Sequence, residues 1–281
     1  MKRRIRFVKA TGAGNDFVIV DRSLGELPAD LGGLARAVCA RHFGIGADGL
    51  LVYEPAGGAS FRMLYFNADG STGGMCGNGA RCLVRYGRLR RGLPDEVSFE
   101  ALGHRYRAEV REGGIRVRMK NLPDPGREVA LRTPSGAWTG RWIDTGAPHF
   151  VVLLEDLDGL DAQTAGAEIR RHEAFSPEGT NVDFASVAGP NSLVLRTYER
   201  GVERETQACG TGSVAAAVVA GLKNLVASPV TVRVRSGSIL KVEFSLEGSA
   251  VRDVFLEGPG DLLFSGSMEY DADHAVIRDH G

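Results

Sequence analysis

Cys76, in Met75-Cys76-Gly77-Asn78-Gly79-Ala80, and Cys209, in Ala208-Cys209-Gly210-Thr211-Gly212-Ser213, each head a Gly-x-Gly turn that runs into an apolar, helix-forming stretch. A thiol at a helix N-terminus meets backbone N–H groups without intrahelical partners and the positive end of the helix dipole. Both are expected to lower its pKa and favour the thiolate. Two such thiols with no cofactor signature suit stereoinversion at a carbon next to a carboxylate. A thiolate takes the α-proton from one face, a thiol returns a proton to the other, and helix N–H groups absorb the charge that builds on the carboxylate.

The other two cysteines fit packing better than chemistry. Cys39 lies in the apolar run Ala37-Val38-Cys39-Ala40, and Cys82 follows Cys76 by six residues, on another helix face. A zinc site would need Cys-x-x-Cys or histidines at ligand spacing, and His42, His104, His149, His172, His274 and His280 are scattered, so no metal is expected. Gly44-Ile45-Gly46-Ala47-Asp48-Gly49 matches Gly-x-Gly-x-x-Gly, but it follows a helix pattern and opens a strand. A dinucleotide site requires the reverse order.

The elements that must position the two thiols form an internal repeat. Thr11-Gly12-Ala13-Gly14-Asn15-Asp16-Phe17-Val18 begins 65 residues before Cys76, and Thr145-Gly146-Ala147-Pro148-His149-Phe150-Val151 begins 64 residues before Cys209. Between these markers, Gly46-Ala47-Asp48 pairs with Asn181-Val182-Asp183, and Phe61-Arg62-Met63-Leu64-Tyr65 with Leu195-Arg196-Thr197-Tyr198. Periodicity predicts strands over 5–8, 17–20, 50–53, 61–66, 97–100, 105–110 and 115–119, with helices over 31–41 and 78–89. The second half repeats the order: strands over 138–144, 150–154, 181–187 and 194–198, a helix over 162–171, a second over 212–225, then strands over 230–234, 240–246 and 251–256. The helix after Cys209 is apolar on every face, so it must be buried all round. The expected fold is therefore α+β: two pseudo-symmetric domains, each a rolled, barrel-like sheet around a central helix, with the active site at the seam. Leu122-Pro123-Asp124-Pro125-Gly126 is the natural linker. The expected domains are 1–122 with 265–281, carrying Cys76, and 123–264, carrying Cys209.

Composition bounds the setting. The chain has 281 residues, enough for about two domains, with 34 basic against 35 acidic side chains, so neither nucleic acid nor an anionic membrane is an expected partner. The start, Met1-Lys2-Arg3-Arg4, leads into mixed polar sequence and not an export signal, and the longest apolar run is too short to span a bilayer. Four cysteines in a chain of this size suit a reducing cytoplasm.

Phe66-Asn67-Ala68-Asp69-Gly70-Ser71, continuing to Met75-Cys76-Gly77-Asn78-Gly79-Ala80-Arg81-Cys82, resembles the signature of the diaminopimelate epimerase family. Gly12-x-Gly14-Asn15-Asp16-Phe17-Val18, Glu199-Arg200-Gly201-Val202 and Glu205-Thr206-x-Ala208-Cys209-Gly210-Thr211-Gly212 extend the resemblance along nearly the whole chain. It implies a homodimeric, PLP-independent enzyme that uses no cofactor. The implied reaction converts LL-2,6-diaminopimelate to the meso form, for lysine and peptidoglycan precursors.

Carried over by resemblance, Cys76 and Cys209 are the acid/base thiols, and Asn15, Asn67 and Asn181 contact substrate. Gly77-Asn78 and Gly210-Thr211 offer N–H groups to the reacting carboxylate. Glu199 and Arg200 hold the distal amino-acid end, while His149 and Glu199 support catalysis. Three positions depart from the family pattern: Gly49 where some members have glutamine, Ala147 where many have asparagine, and an extra residue at Glu203-Arg204. They bear on substrate binding and leave the thiol pair intact. Two rival readings stay open. One is a related racemase of the proline type, although that family usually places histidine where this chain has Asn78. The other is a non-catalytic thiol redox or amino-acid-binding protein.

Overall fold

The computed structural model describes residues 2–248 and 250–278. Met1, Ser249 and residues 279–281, which include His280 and close the expected first domain, lie outside the described residues.

The chain divides into two compact units, Met1–Val117 with Gly258–Gly281, and Arg118–Glu257. The first unit opens with β1 (Lys2–Gly12), β2 (Asn15–Asp21), α1 (Leu31–Cys39), β3 (Gly49–Glu54) and β4 (Phe61–Asn67), followed by α2 (Gly77–Arg90), β5 (Glu96–Ala101), β6 (His104–Arg111) and β7 (Gly114–Arg118). The second holds β8 (Arg127–Thr133), β9 (Gly136–Asp144), β10 (Pro148–Leu153), α3 (Ala162–Arg170), β11 (Asn181–Gly189), β12 (Ser192–Glu199), β13 (Arg204–Thr206), α4 (Gly210–Leu222), β14 (Val230–Arg233), β15 (Ile239–Glu247) and β16 (Ala250–Gly258). The chain then returns to the first unit with β17 (Asp261–Asp271) and β18 (Val276–Arg278).

Strand pairing repeats between the units as the sequence repeat requires. In the first, β1 pairs antiparallel with β2, β2 runs parallel to β3, β3 antiparallel to β4, and β4 parallel to β5. In the second, β9 pairs antiparallel with β10, β10 runs parallel to β11, β11 antiparallel to β12, and β12 parallel to β14. Each sheet curls round its own helix. Helix α2 packs on β1, β2, β3, β4, β6 and β17, and α4 on β9, β10, β11, β12, β14 and β15. The small side chains of α4 make this possible: from Ser213 to Gly221 every residue is buried.

The unit boundaries fall earlier than the sequence places them. Asp261 and Leu262 pair with Thr11 and Ala10 of β1, so β17 belongs to the first unit from its first residue. Residues 122–126 are not a bare linker between domains but part of the second unit, with Leu122 only 3% exposed and bonded through its backbone to Val251. Strands β8, β13, β17 and β18 were not anticipated. β17 is long, but Ser265-Gly266-Ser267 interrupts its apolar pattern and most of its side chains are exposed. Helix α4 spans Gly210–Leu222 instead of 212–225. Cys209 is its N-cap, and Asn224 beyond its end takes a left-handed backbone at φ 56°. Helix α1 likewise stops at Cys39, because Ala40 leaves the helical region (φ −58°, ψ 111°), and His42 beyond it is left-handed at φ 76°.

Candidate active site

Cys76 and Cys209 are each the N-cap of their unit's central helix. Cys76 holds an extended backbone (φ −99°, ψ 111°), and its Sγ accepts the Gly79 N–H at 3.4 Å. Cys209 holds nearly the same conformation (φ −118°, ψ 114°), and its Sγ lies 3.5 Å from Thr211 Oγ1.

Around Cys76 the β1–β2 hairpin supplies the first amide. Ala13 and Gly14 both take positive φ (59° and 92°), as a two-residue hairpin turn of right-handed twist demands. Asn15 therefore opens β2 beside the helix N-terminus. Gly12 lets the hairpin approach: a Cβ there would sit 2.8 Å from the Asn78 carbonyl oxygen. Asn15 Oδ1 accepts from Asn78 Nδ2 at 3.3 Å and lies 3.8 Å from Cys76 Sγ, while its Nδ2 donates to Asp48 Oδ2 at 2.8 Å. Asp48 is in turn held by Arg41 at 3.2 Å, and Arg41 also bonds Asp16, which takes the buried Lys9 Nζ at 2.6 Å. Asn78 Oδ1 accepts from Arg81 at 2.7 Å.

The second unit has the same layout with different chemistry. His149 is the second residue of β10 and is fully buried. Its Nδ1 lies 2.6 Å from Asp183 Oδ2, and its Nε2 lies 2.9 Å from Thr211 Oγ1. A carboxylate only accepts, so Nδ1 carries the proton. Asp183 Oδ1 accepts from Thr197 Oγ1 at 2.7 Å. The positions correspond through the repeat: Asn15 with His149, Asp48 with Asp183, and Asn78 with Thr211. Glu199 ends β12, where its Oε1 accepts from Thr206 Oγ1 at 2.6 Å, and it neighbours Cys209.

One expectation fails here. The helix N-terminus was expected to lower both thiols, but burial pushes Cys209 well above its ordinary value, and the Glu199 and Asp183 carboxylates add to that rise. Desolvation also raises the Glu199 carboxyl, against the opposing pull of Thr206 and His149. The helix dipole is too weak to offset burial beside two carboxyl groups. Cys39 and Cys82 behave as buried packing residues. Burial pushes Cys39 up to about 12, and Cys82 higher still.

The remaining residues fall into place on these frames. Asn67 ends β4 and donates to Ser71 Oγ at 2.9 Å. Asn181 opens β11, donating to the Pro148 carbonyl and accepting the Arg200 backbone N–H, both at 2.9 Å. The Arg200 guanidinium reaches the Glu178 carbonyl at 3.3 Å. Gly77 and Gly210 are the first residues of α2 and α4. Gly49 is explained by Tyr65: a Cβ at Gly49 would come within 2.5 Å of that ring, so the ring occupies the space a longer side chain would need. Glu203 caps its loop by accepting from Gly201 N–H and pairing with Arg170 and Arg171. Asp48, Asp183, Thr197 and Arg81 were not singled out as functional from sequence. Asp48 and Asp183 were visible only as matched markers of the repeat. Among the described residues, no cluster of three or more His, Cys, Asp or Glu side chains could hold a metal ion.

Residues 7–121 and 141–259 match the family model described as diaminopimelate epimerase. A diaminopimelate epimerase of Chlorobaculum tepidum is 42% identical over 92% of this chain and 99% of its own length, and one of Aquifex aeolicus is 41% identical over 94% and 98%. Among solved structures, a hydroxyproline epimerase of Agrobacterium vitis superposes with a TM-score of 0.69 at 16% identity, covering 94% of this chain and 92% of that one. A phenazine biosynthesis protein of Bacillus anthracis gives 0.66 at 14% identity, covering 94% and 99%. At such identities these two show a shared α+β fold. With the family model spanning both halves and relatives above 40% identity along nearly the full length, the chain belongs to the diaminopimelate epimerase family.

Proposed function

We propose that this protein interconverts LL- and meso-2,6-diaminopimelate by a two-base thiolate/thiol mechanism that uses no cofactor. The observation that carries the reading is the pair of N-cap cysteines on matched helices, each beside a hydrogen-bonded side chain fixed by a buried or half-buried aspartate. One thiolate removes the α-proton and the other thiol delivers a proton to the opposite face, so either stereoisomer can enter. Charge moving onto the reacting carboxylate meets the N–H groups of Gly77 and Asn78 or of Gly210 and Thr211. There the helix dipole is positive and no reorganisation is needed.

His149 serves as a supporting base. A proton leaving Cys209 can pass to Thr211 Oγ1 at 3.5 Å and on to His149 Nε2 at 2.9 Å, with Asp183 stabilising the imidazolium. Asn15, Asn67 and Asn181 bind the substrate's polar groups. Glu199 and Arg200 meet the ammonium and carboxylate of its distal end, the feature that separates a diamino diacid from proline. The enzyme works as a homodimer in the cytoplasm, where its four free cysteines stay reduced.

The test is incubation of reduced protein with LL-diaminopimelate in deuterated water, beside proline. Deuterium at the α-carbon together with the meso product supports the reading. Folded, reduced protein that exchanges no deuterium would overturn it, and exchange on proline alone would give the racemase reading instead.

A further inference from the structure

Arg81 has no role in the chemistry above, yet it is the largest fully buried side chain among the described residues. It lies five residues into α2 from Cys76. Its Nε donates to the Pro259 carbonyl at 3.0 Å and one terminal nitrogen to Asn78 Oδ1 at 2.7 Å, while the buried Nη1 has no hydrogen-bond partner. Among the described residues no carboxylate pairs with it. A buried guanidinium stays charged, and leaving it without a counter-charge is costly unless an anion is supplied when the protein functions.

The carboxylates bonded around Asn15 have cationic partners. Asp16 and Asp48 are matched by Lys9 and Arg41, and Asp261 on β17 is exposed and bears on Cys82 instead. Arg81 remains as an excess positive charge, and the groups whose charge it feels are Cys76 and Cys82, of which Cys82 is fully buried and held as a thiol. Cys209 has the opposite surroundings, the carboxyl groups of Glu199 on β12 and Asp183 on β11, with His149 on β10 bonded to Asp183.

We propose that Arg81 is a positioning residue for the two-thiol reaction: its buried guanidinium, linked through Asn78 to the amide cluster at the α2 N-terminus, holds negative charge on Cys76, so the free protein rests with a thiolate at Cys76 and a thiol at Cys209. The proposal deepens the epimerase reading and rests on it for its catalytic meaning. It assigns the first proton abstraction by the free protein to Cys76, and leaves the protein with thiolate at Cys209 after turnover in that direction.

The test follows the ultraviolet absorbance of thiolate in the substrate-free, reduced protein as a function of pH, so its failure is distinguishable from loss of deuterium exchange. At neutral pH the native protein should show one thiolate, absent in Cys76→Ala and kept in Cys209→Ala. Arg81→Gln should move the midpoint of the thiolate signal up by about one pH unit, a tenfold change in the ionisation constant, and Arg81→Lys should restore most of it. A signal lost in Cys209→Ala and kept in Cys76→Ala, or unchanged in folded Arg81→Gln, or missing from the native protein at neutral pH, would overturn the proposal. Should Arg81→Gln fail to fold, the comparison of the two cysteine variants still decides where the resting thiolate lies.

Discussion

Replacing Asp183 by asparagine tests the second half of the site, because the substitution keeps shape while removing charge. Asp183 is fully buried and accepts from His149 Nδ1 at 2.6 Å and from Thr197 Oγ1 at 2.7 Å. An asparagine has one acceptor oxygen and one NH2, so one of those two partners must change role. If the NH2 faces His149, Nδ1 must become the acceptor. The proton then moves to Nε2, which now donates to Thr211 Oγ1 at 2.9 Å and can no longer receive a proton from it. If the NH2 faces Thr197, the tautomer survives but the imidazolium loses its counter-charge. A hydrogen bond to a charged group contributes about 1.5–3 kcal/mol, so the variant should lose about 2 kcal/mol of stability, roughly 4–8 °C in Tm. Loss of a positioned base should lower kcat by about 100-fold, with little change in KM, since Asp183 does not reach substrate. Removing the carboxylate also lets the Cys209 thiol ionise more readily, because Asp183 is among the causes of its raised value. That change would raise the rate if thiolate supply were limiting. Deuterium exchange and thermal unfolding measure the two effects, and Thr197→Val supplies the control, losing about 1 kcal/mol with kcat nearly unchanged. Asp183→Asn exchanging deuterium within about threefold of the native protein, while folded, would refute the relay through His149.

Cys76→Ala and Cys209→Ala should each abolish epimerisation, whereas Cys39→Ala and Cys82→Ala should keep most of it in the same assay, since both thiols are buried and held protonated. Lys9→Met should cost about 3 kcal/mol in denaturant unfolding, the low end of the range for breaking a buried ion pair, because Arg41 still pairs with Asp16. Desolvation raises Asp16, but Lys9 and Arg41 outweigh it and the net direction is down. Its contribution to stability is therefore present above the unfolded carboxyl range near pH 4 and lost as pH falls below it. The Lys9→Met protein should show a flatter fall in stability on acidification. Gly12→Ala should lower kcat at least tenfold with modest loss of stability, because its Cβ would press the Asn78 carbonyl at 2.8 Å and shift the α2 N-terminus.

The chemistry-bearing turns and the duplication around them were legible in the sequence because each depends on local order: a cysteine before Gly-x-Gly, then a small or apolar helix. The recurrence of one parallel pairing in both units, β2–β3 and β10–β11, accords with that repeat, although its direction was not read from the sequence. What was not legible depends on partners far along the chain. β17 has little apolar alternation of its own and is a strand because β1 offers it a complementary edge over nearly its whole length. The raised Cys209 thiol arises first from burial and then from Glu199 and Asp183, which β11 and β12 bring alongside, and no reading of the helix N-terminus alone would supply that. Arg81 entered the sequence reading only as part of the Met75–Cys82 signature, and only its burial gives it a role of its own.

A duplicated module raises a difficulty that the differences between its copies resolve. A two-base inversion needs one thiolate and one thiol at the same pH, and two identical thiols would share a single proton with both arrangements equally populated. The copies diverge at the positions that touch the cysteines. Asn15 and Asn78 surround Cys76 with fixed amide dipoles backed by the Arg81 cation, while His149 and Thr211 connect Cys209 to ionisable groups backed by Asp183 and Glu199. Amides cannot take a proton and an imidazole can, so the first copy can only stabilise a charge that is already there, whereas the second can accept one in transit. The repeat supplies two matched thiol-bearing turns, one in each unit, and these few substitutions set which thiol begins the cycle charged.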